Sequence, residues 1–155
     1  MSSEFNHLRL EHLQTAISSF SDLRKRPPPP QGWLKLIREA IGRTGRQQAQ
    51  RLGISAPTLH KSEQAEAEDR ITLKQLRKLA DGLDCDLVYA LVPRQPLTEV
   101  VRERAQAIAT DEVGRVAHSM GLEGQRPGAE MLRRQIERRT TELLHGRWSD
   151  LWRES

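Results

Sequence analysis

The chain has 155 residues, enough for one compact domain with extensions. It carries 25 Lys and Arg against 21 Asp and Glu, a formal net charge of +4 that permits nucleic-acid binding without demanding it. Cys85 is the only cysteine, which excludes an internal disulfide framework and a cysteine-rich metal site; the five scattered histidines lack ligand spacing, so neither a metal nor a cofactor is expected.

No apolar run is long enough to span a membrane and no secretory h-region opens the chain, so a cytoplasmic protein is expected. Residues 4–25 predict an amphipathic helix with Phe5, Leu8, Leu13, Ala16, Ile17, Phe20 and Leu23 near one stripe, packed on its own domain or serving as a partner-binding arm. Arg24-Lys25-Arg26 and Pro27 to Pro30 end it, because four prolines cannot continue a helix and favour a semi-rigid spacer. Residues 1–30 therefore precede a domain expected over 31–96, and 97–155 form a helical C-terminal region.

Trp33, Leu34, Ile37 and Ile41 predict the core face of a first helix that Gly42 ends. The next stretch, Thr44 to Glu66, reads as two short helices joined by a tight turn. Ala49 and Leu52 are apolar at helical spacing on the first, and Gly53 stands where a helix needs a left-handed residue at its C-terminal end. Ile54 plugs the space between the helices, Ser55 is placed to cap the second, and Pro57 falls within its first turn, where a missing N–H costs little. Leu59 faces inward. Ala56, Pro57, Thr58, His60 and Lys61 on the second helix, with Arg46 and Gln47 on the first, are the candidate DNA-binding residues, since such a pair lays its second helix in the major groove of double-stranded DNA. The stretch resembles the lambda-repressor-like (Xre) helix-turn-helix family, and departs from it at Gly45 and Ala56, where that family often carries Gln.

Glu66 to Arg70 reads as a polar loop. Thr72 then caps a helix to about Gly82, with Leu73, Leu76, Leu79 and Ala80 inward and Lys74, Arg77 and Lys78 outward, where they either meet phosphates or form an ordinary wet face. Asp86 to Val92 is short, apolar on both faces and rich in strand formers, and Pro93 stops it. A lone strand leaves its backbone groups unpaired, so Leu87, Val88, Tyr89, Ala90 and Leu91 are expected to pair with their copies in a homodimer; an irregular segment of the same chain is the alternative.

Residues 98–123 read as helix capped by Thr98, with Val101, Ala105, Ile108 and Ala109 as a narrow stripe and a break near Thr110-Asp111. Gly128 to Trp152 is the last predicted helix, breaking near Gly146; Trp148 and Trp152 imply docking of its end. Between them Ser119-Met-Gly-Leu-Glu123-Gly124 fits Ser/Thr-x-x-x-Glu-Gly/Asn. On a helix Ser119 and Glu123 share a face, and Gly124 ends it. A carboxylate at the negative end of a helix dipole is locally unfavourable, and a cation from another surface offsets that.

This pattern resembles the inhibitory helix of Fic-domain systems. The resemblance implies that Glu123 pairs with an arginine in the nucleotide site of a Fic enzyme and obstructs productive ATP placement, with Ser119 as the supporting hydroxyl and Gly124 turning the chain away. Gly32-Trp33, the helix-turn-helix, Leu87-Val-Tyr-Ala-Leu-Val-Pro93 and Leu122-Glu-Gly-Gln125 also occur in this order in the family called mobile mystery protein A, a resemblance that covers most of Gln31 to Arg126. Its members are commonly encoded beside a Fic-domain protein, mobile mystery protein B, which is the partner this implies.

The expected fold is mostly α: a lambda-repressor-like helix-turn-helix domain with one short β-strand, flanked by N- and C-terminal helical extensions. The expected function is that of an antitoxin that inhibits a Fic enzyme and represses its own operon. One rival is a plain Xre-type regulator whose C-terminal region dimerises or senses a ligand. An enzyme is disfavoured, because no glycine-rich phosphate loop, metal cluster, Ser/His/Asp or Cys/His set is present.

Overall fold

The computed structural model describes residues 3–154. In chain order they form α1 (Ser3–Ser18), a 3₁₀ turn at Ser21–Lys25, α2 (Trp33–Ala40), α3 (Gly45–Leu52), α4 (Ala56–Ala67), α5 (Leu73–Asp81), α6 (Leu97–Leu122), α7 (Ala129–His145) and a 3₁₀ turn at Trp148–Trp152. They group into two compact units: Asp22–Ala90, and a second made of the residues up to Ser21 with those from Leu91 onward. Within residues 1–30, expected as an N-terminal helix and Pro linker, α1 lies in the same unit as α6 and α7, and residues 22–30 lie in the other.

The Asp22–Ala90 unit is built on Leu34, Ala49, Leu59, Leu79 and Leu83, with Ile37, Leu52, Ile54, Ile71, Leu76 and Cys85 packed around them. Leu59 is 3% exposed, and burying such a side chain contributes roughly 1.5–3 kcal/mol. The starts of α3, α4 and α5 have local causes. The Thr44 hydroxyl accepts from the Gln47 amide while the Gln47 side chain accepts from the Thr44 amide, a reciprocal capping box. Ser55 and Thr72 cap α4 and α5 by accepting from the amides of Thr58 and Gln75. Trp33 and Ile41, expected in the core, are exposed instead, because α2 turns Leu34, Ile37 and Arg38 inward. The loop expected from Glu66 begins later, since α4 runs to Ala67 and Glu66 sits on its last turn.

In the second unit Val101, Ala105 and Leu151 form the core, with Leu10, Ile108, Leu143, Leu144 and Trp148 against it. Ala105 and Ala109 are fully buried on α6, which packs along α7. The Trp148 indole donates to the Leu144 carbonyl at 2.8 Å, which docks the final 3₁₀ turn. Of the stripe expected from sequence, Phe5, Leu8 and Leu13 on α1 are exposed and Ile17 is half-buried, and Leu10 makes the contact with the core. The break expected near Thr110 is absent. Thr110 donates to the Gln106 carbonyl one turn back and Asp111 pairs with Arg115 one turn on, so the helix continues through Gly114. Thr98 is not the cap of α6 either; the Leu97 amide is satisfied by the Gln14 side chain, 2.7 Å away on α1.

Residues 86–92 carry no regular structure, and no strand is formed among the described residues. A strand exists only against a hydrogen-bonded neighbour, and among the described residues no backbone hydrogen bond joins residues 86–92 to another segment.

Candidate functional site

The geometry of the helix pair follows from its turn. Gly53 adopts φ 68°, which a β-carbon would resist by roughly 1–2 kcal/mol. That conformation lets the Gly53 and Ile54 amides donate to the Gln50 and Ala49 carbonyls at 3.2 and 3.0 Å, closing the end of α3. Ile54 then drops into the core and Ser55 starts α4.

Two long-range contacts set how α4 is held. Arg38 on α2 meets Glu63 in a two-point pair, Nε to Oε1 at 2.6 Å and Nη2 to Oε2 at 3.0 Å, while its Nη1 donates to the Arg43 carbonyl at 2.9 Å. Both side chains are buried, and hydrogen bonding to Glu63 raises the pKa of Arg38 against the opposing effect of burial. From the last turn of α4, the Glu66 carboxylate accepts from the Trp33 and Leu34 amides, both at 2.9 Å, and caps α2 where its own residues offer no side-chain cap. Leu59, Glu63 and Glu66 thus anchor the inner face of α4.

The opposite face is open. Ala56, Pro57, Thr58, His60 and Lys61 are all exposed, as are Arg46 and Gln47. Pro57 and Lys61, four positions apart, share a stripe with Thr58 beside it. Two of these side chains have local duties that sequence alone did not assign: Gln47 completes the capping box, and the Thr58 hydroxyl lies 2.7 Å from that of Ser55. The cations on and around the helices of this unit differ in their partners. Arg38, Arg51, Arg70 and Lys35 are paired with carboxylates, whereas Arg46, Lys61, Lys74, Arg77 and Lys78 make no ion pair among the described residues. Residues 22–90 hold thirteen Lys and Arg against nine Asp and Glu, so the whole net charge of +4 resides here and the remainder of the chain is neutral. Phosphate contacts draw on this kind of unpaired, exposed charge.

The sequence signals for α4 were local, whereas Arg38–Glu63 and the Glu66 cap were missed because their partners lie 25 to 33 residues apart. Gln48 was missed for the same reason. It is 1% exposed and donates to the Gly82 carbonyl at 3.0 Å, tying α3 to the end of α5.

In the other unit, Ser119 and Glu123 lie on the outer face of α6 and both are exposed. The Ser119 hydroxyl donates to the Arg115 carbonyl at 3.2 Å, so it does not hold Glu123. Glu123 is the last residue of the helix end. Gly124 follows at φ 77°, and the Gly124 and Gln125 amides close the turn on the Gly121 and Met120 carbonyls. The Glu123 carboxylate makes no ion pair or hydrogen bond among the described residues. A groove of about 460 Å³ lies on the neighbouring face, lined by Ala117, His118, Leu122, Arg126 and Leu132 with two glycines.

Val88, Tyr89 and Leu91 are exposed, and Leu87 and Ala90 half-buried. Cys85 is half-buried, its thiol donating to the Leu83 carbonyl at 3.4 Å. Among the described residues no cluster of His, Cys, Asp or Glu is placed to hold a metal ion, and no helix is long and apolar enough to cross a membrane. No family model, curated protein or solved structure matches the chain.

Proposed function

We propose that this protein is the antitoxin of a Fic toxin–antitoxin pair and a repressor of its own operon. The reading joins two surfaces. The α4 face, with Lys61 and His60 outward and its inner side clamped by Glu63 and Glu66, presents a helix suited to the major groove of operator DNA. Glu123, at the end of α6, presents a carboxylate to an arginine in the nucleotide site of a Fic enzyme resembling mobile mystery protein B. That contact displaces the γ-phosphate of ATP from its productive position and stops adenylylation.

The observation that carries this reading is the bare Glu123 carboxylate: a charge at the negative end of a 26-residue helix that makes no ion pair among the described residues. An arginine of another protein supplies one, and a guanidinium–carboxylate pair is strong where water is excluded. The supporting observation for DNA is the confinement of the net positive charge to the unit that carries α4. The test is reconstitution with the Fic protein encoded beside it. The chain is expected to form a complex that suppresses transfer of AMP from ATP, and to retain promoter binding. A Fic enzyme that stays fully active in a saturated complex rules the inhibitory role out.

A further inference from the structure

We infer that the groove beside Glu123 is the seat of the Fic enzyme: it receives an apolar side chain of that enzyme, and Arg126 at its edge meets a neighbouring carboxylate of the same enzyme. The inference rests on the proposed inhibitory role of Glu123. It adds the surface that holds the complex together, as distinct from the contact that inhibits.

The groove is open because of what lines it. Gly114, Ala117, Gly121 and Leu122 come from one face of α6, Leu132 from α7 and Arg126 from the turn between them, around a volume of about 460 Å³. Glycine inside a helix is destabilising relative to alanine. A β-carbon at Gly114 would meet nothing within 4 Å, and the nearest atom to one at Gly121 is on the Arg126 side chain, 3.9 Å away. Packing within the chain therefore calls for neither glycine. Leu122 stands 78% exposed on the groove, and Met131, at the start of α7, is exposed too. Apolar surface beside an open groove is a place for a partner protein.

Charge selects the partner. Glu123 and Arg126 flank the turn at Gly124, and neither side chain makes an ion pair or hydrogen bond among the described residues. Gly124, at φ 77°, turns the chain back so that the Arg126 stem lies along Gly121, on the groove side. A surface that brings an arginine to Glu123 also brings it towards Arg126, and like charges repel there. A carboxylate of that surface set against Arg126 makes the two charge patterns complementary. One guanidinium–carboxylate contact does not hold two proteins together. Stable interfaces bury on the order of 1,600 Å² in total and draw much of their affinity from a few side chains packed into desolvated pockets. The groove supplies such a pocket next to Glu123.

Affinity of the full chain for the Fic protein encoded beside it separates the two contacts. The double variant Gly114→Leu, Gly121→Leu fills the groove, and its thermal midpoint is expected at or above that of wild type, because leucine favours a helix more than glycine does. It is expected to bind the enzyme roughly tenfold more weakly, or worse, yet to suppress transfer of AMP once saturated. Arg126→Glu is expected to weaken binding by about tenfold as well. Glu123→Gly is expected to do the reverse, keeping the binding and losing the suppression. If the double variant binds as tightly as wild type, the inference is overturned while the inhibitory role stands. If wild type binds without suppressing and the double variant binds more weakly, the inhibitory role falls and the seat stands.

Discussion

Arg38 and Glu63 face each other across α2 and α4 as a buried two-point ion pair, 2.6 and 3.0 Å at its two contacts. Removing one partner leaves the other charged and desolvated, which costs about 3–5 kcal/mol. Glu63→Ala is therefore expected to lower the urea midpoint steeply. The double variant Arg38→Met with Glu63→Leu, which removes both charges, is expected to recover most of that loss. If the single variant unfolds at the wild-type midpoint, the pair does not hold the two helices together.

Glu66 makes a second prediction of the same kind. Its carboxylate satisfies the Trp33 and Leu34 amides at the positive end of α2, so Glu66→Ala should destabilise the unit by about 1–2 kcal/mol. Amide exchange at Trp33 and Leu34 should accelerate more than at the start of α5, which Thr72 caps locally. Uniform acceleration across the unit would count against a capping role.

These contacts also mark where the sequence is legible. Gly53, Ser55 and Thr72 could be read directly, because a cap or a left-handed turn involves residues within about one helical turn and the chemistry is set by residue type. In the sequence Glu63 has no evident role and Glu66 reads as the start of a polar loop, and nothing in their neighbourhood reveals that one meets Arg38 and the other a helix start. The α1 stripe misled for a related reason: Phe5, Leu8 and Leu13 are as apolar as Leu10, yet which face turns inward is decided by the surface offered by the neighbouring helices, and Leu10 met it. For Glu123 the exposure and the helix end followed from Gly124, whereas a partner's arginine leaves no trace in this chain's own contacts.

Gly114 interrupts neither the course of α6 nor its packing, and a β-carbon there would meet nothing within 4 Å. Gly114→Ala should therefore stabilise the protein by roughly 0.5–1 kcal/mol through helix propensity and a less flexible unfolded chain. The thermal midpoint should rise by a few degrees. A lower midpoint would mean that α6 is not a continuous helix at this position.

Lys61 is exposed on the outer face of α4 and unpaired among the described residues. Lys61→Ala is expected to weaken binding to the promoter fragment and to reduce the slope of log K against log salt by about one. Binding measured from low to physiological salt gives that slope. An unchanged slope would place Lys61 away from any phosphate.

The most direct measurement of the central claim compares the wild-type chain with Glu123→Gly as inhibitors of the Fic protein encoded beside it. Transfer of labelled AMP would be followed at saturating inhibitor. The Glu123 side chain is exposed and makes no ion pair or hydrogen bond among the described residues, so the substitution is expected to leave the fold and promoter binding intact. The account predicts near-complete suppression by wild type and return to the uninhibited rate with Glu123→Gly, while both proteins still bind the enzyme. Equal suppression by the two would contradict it.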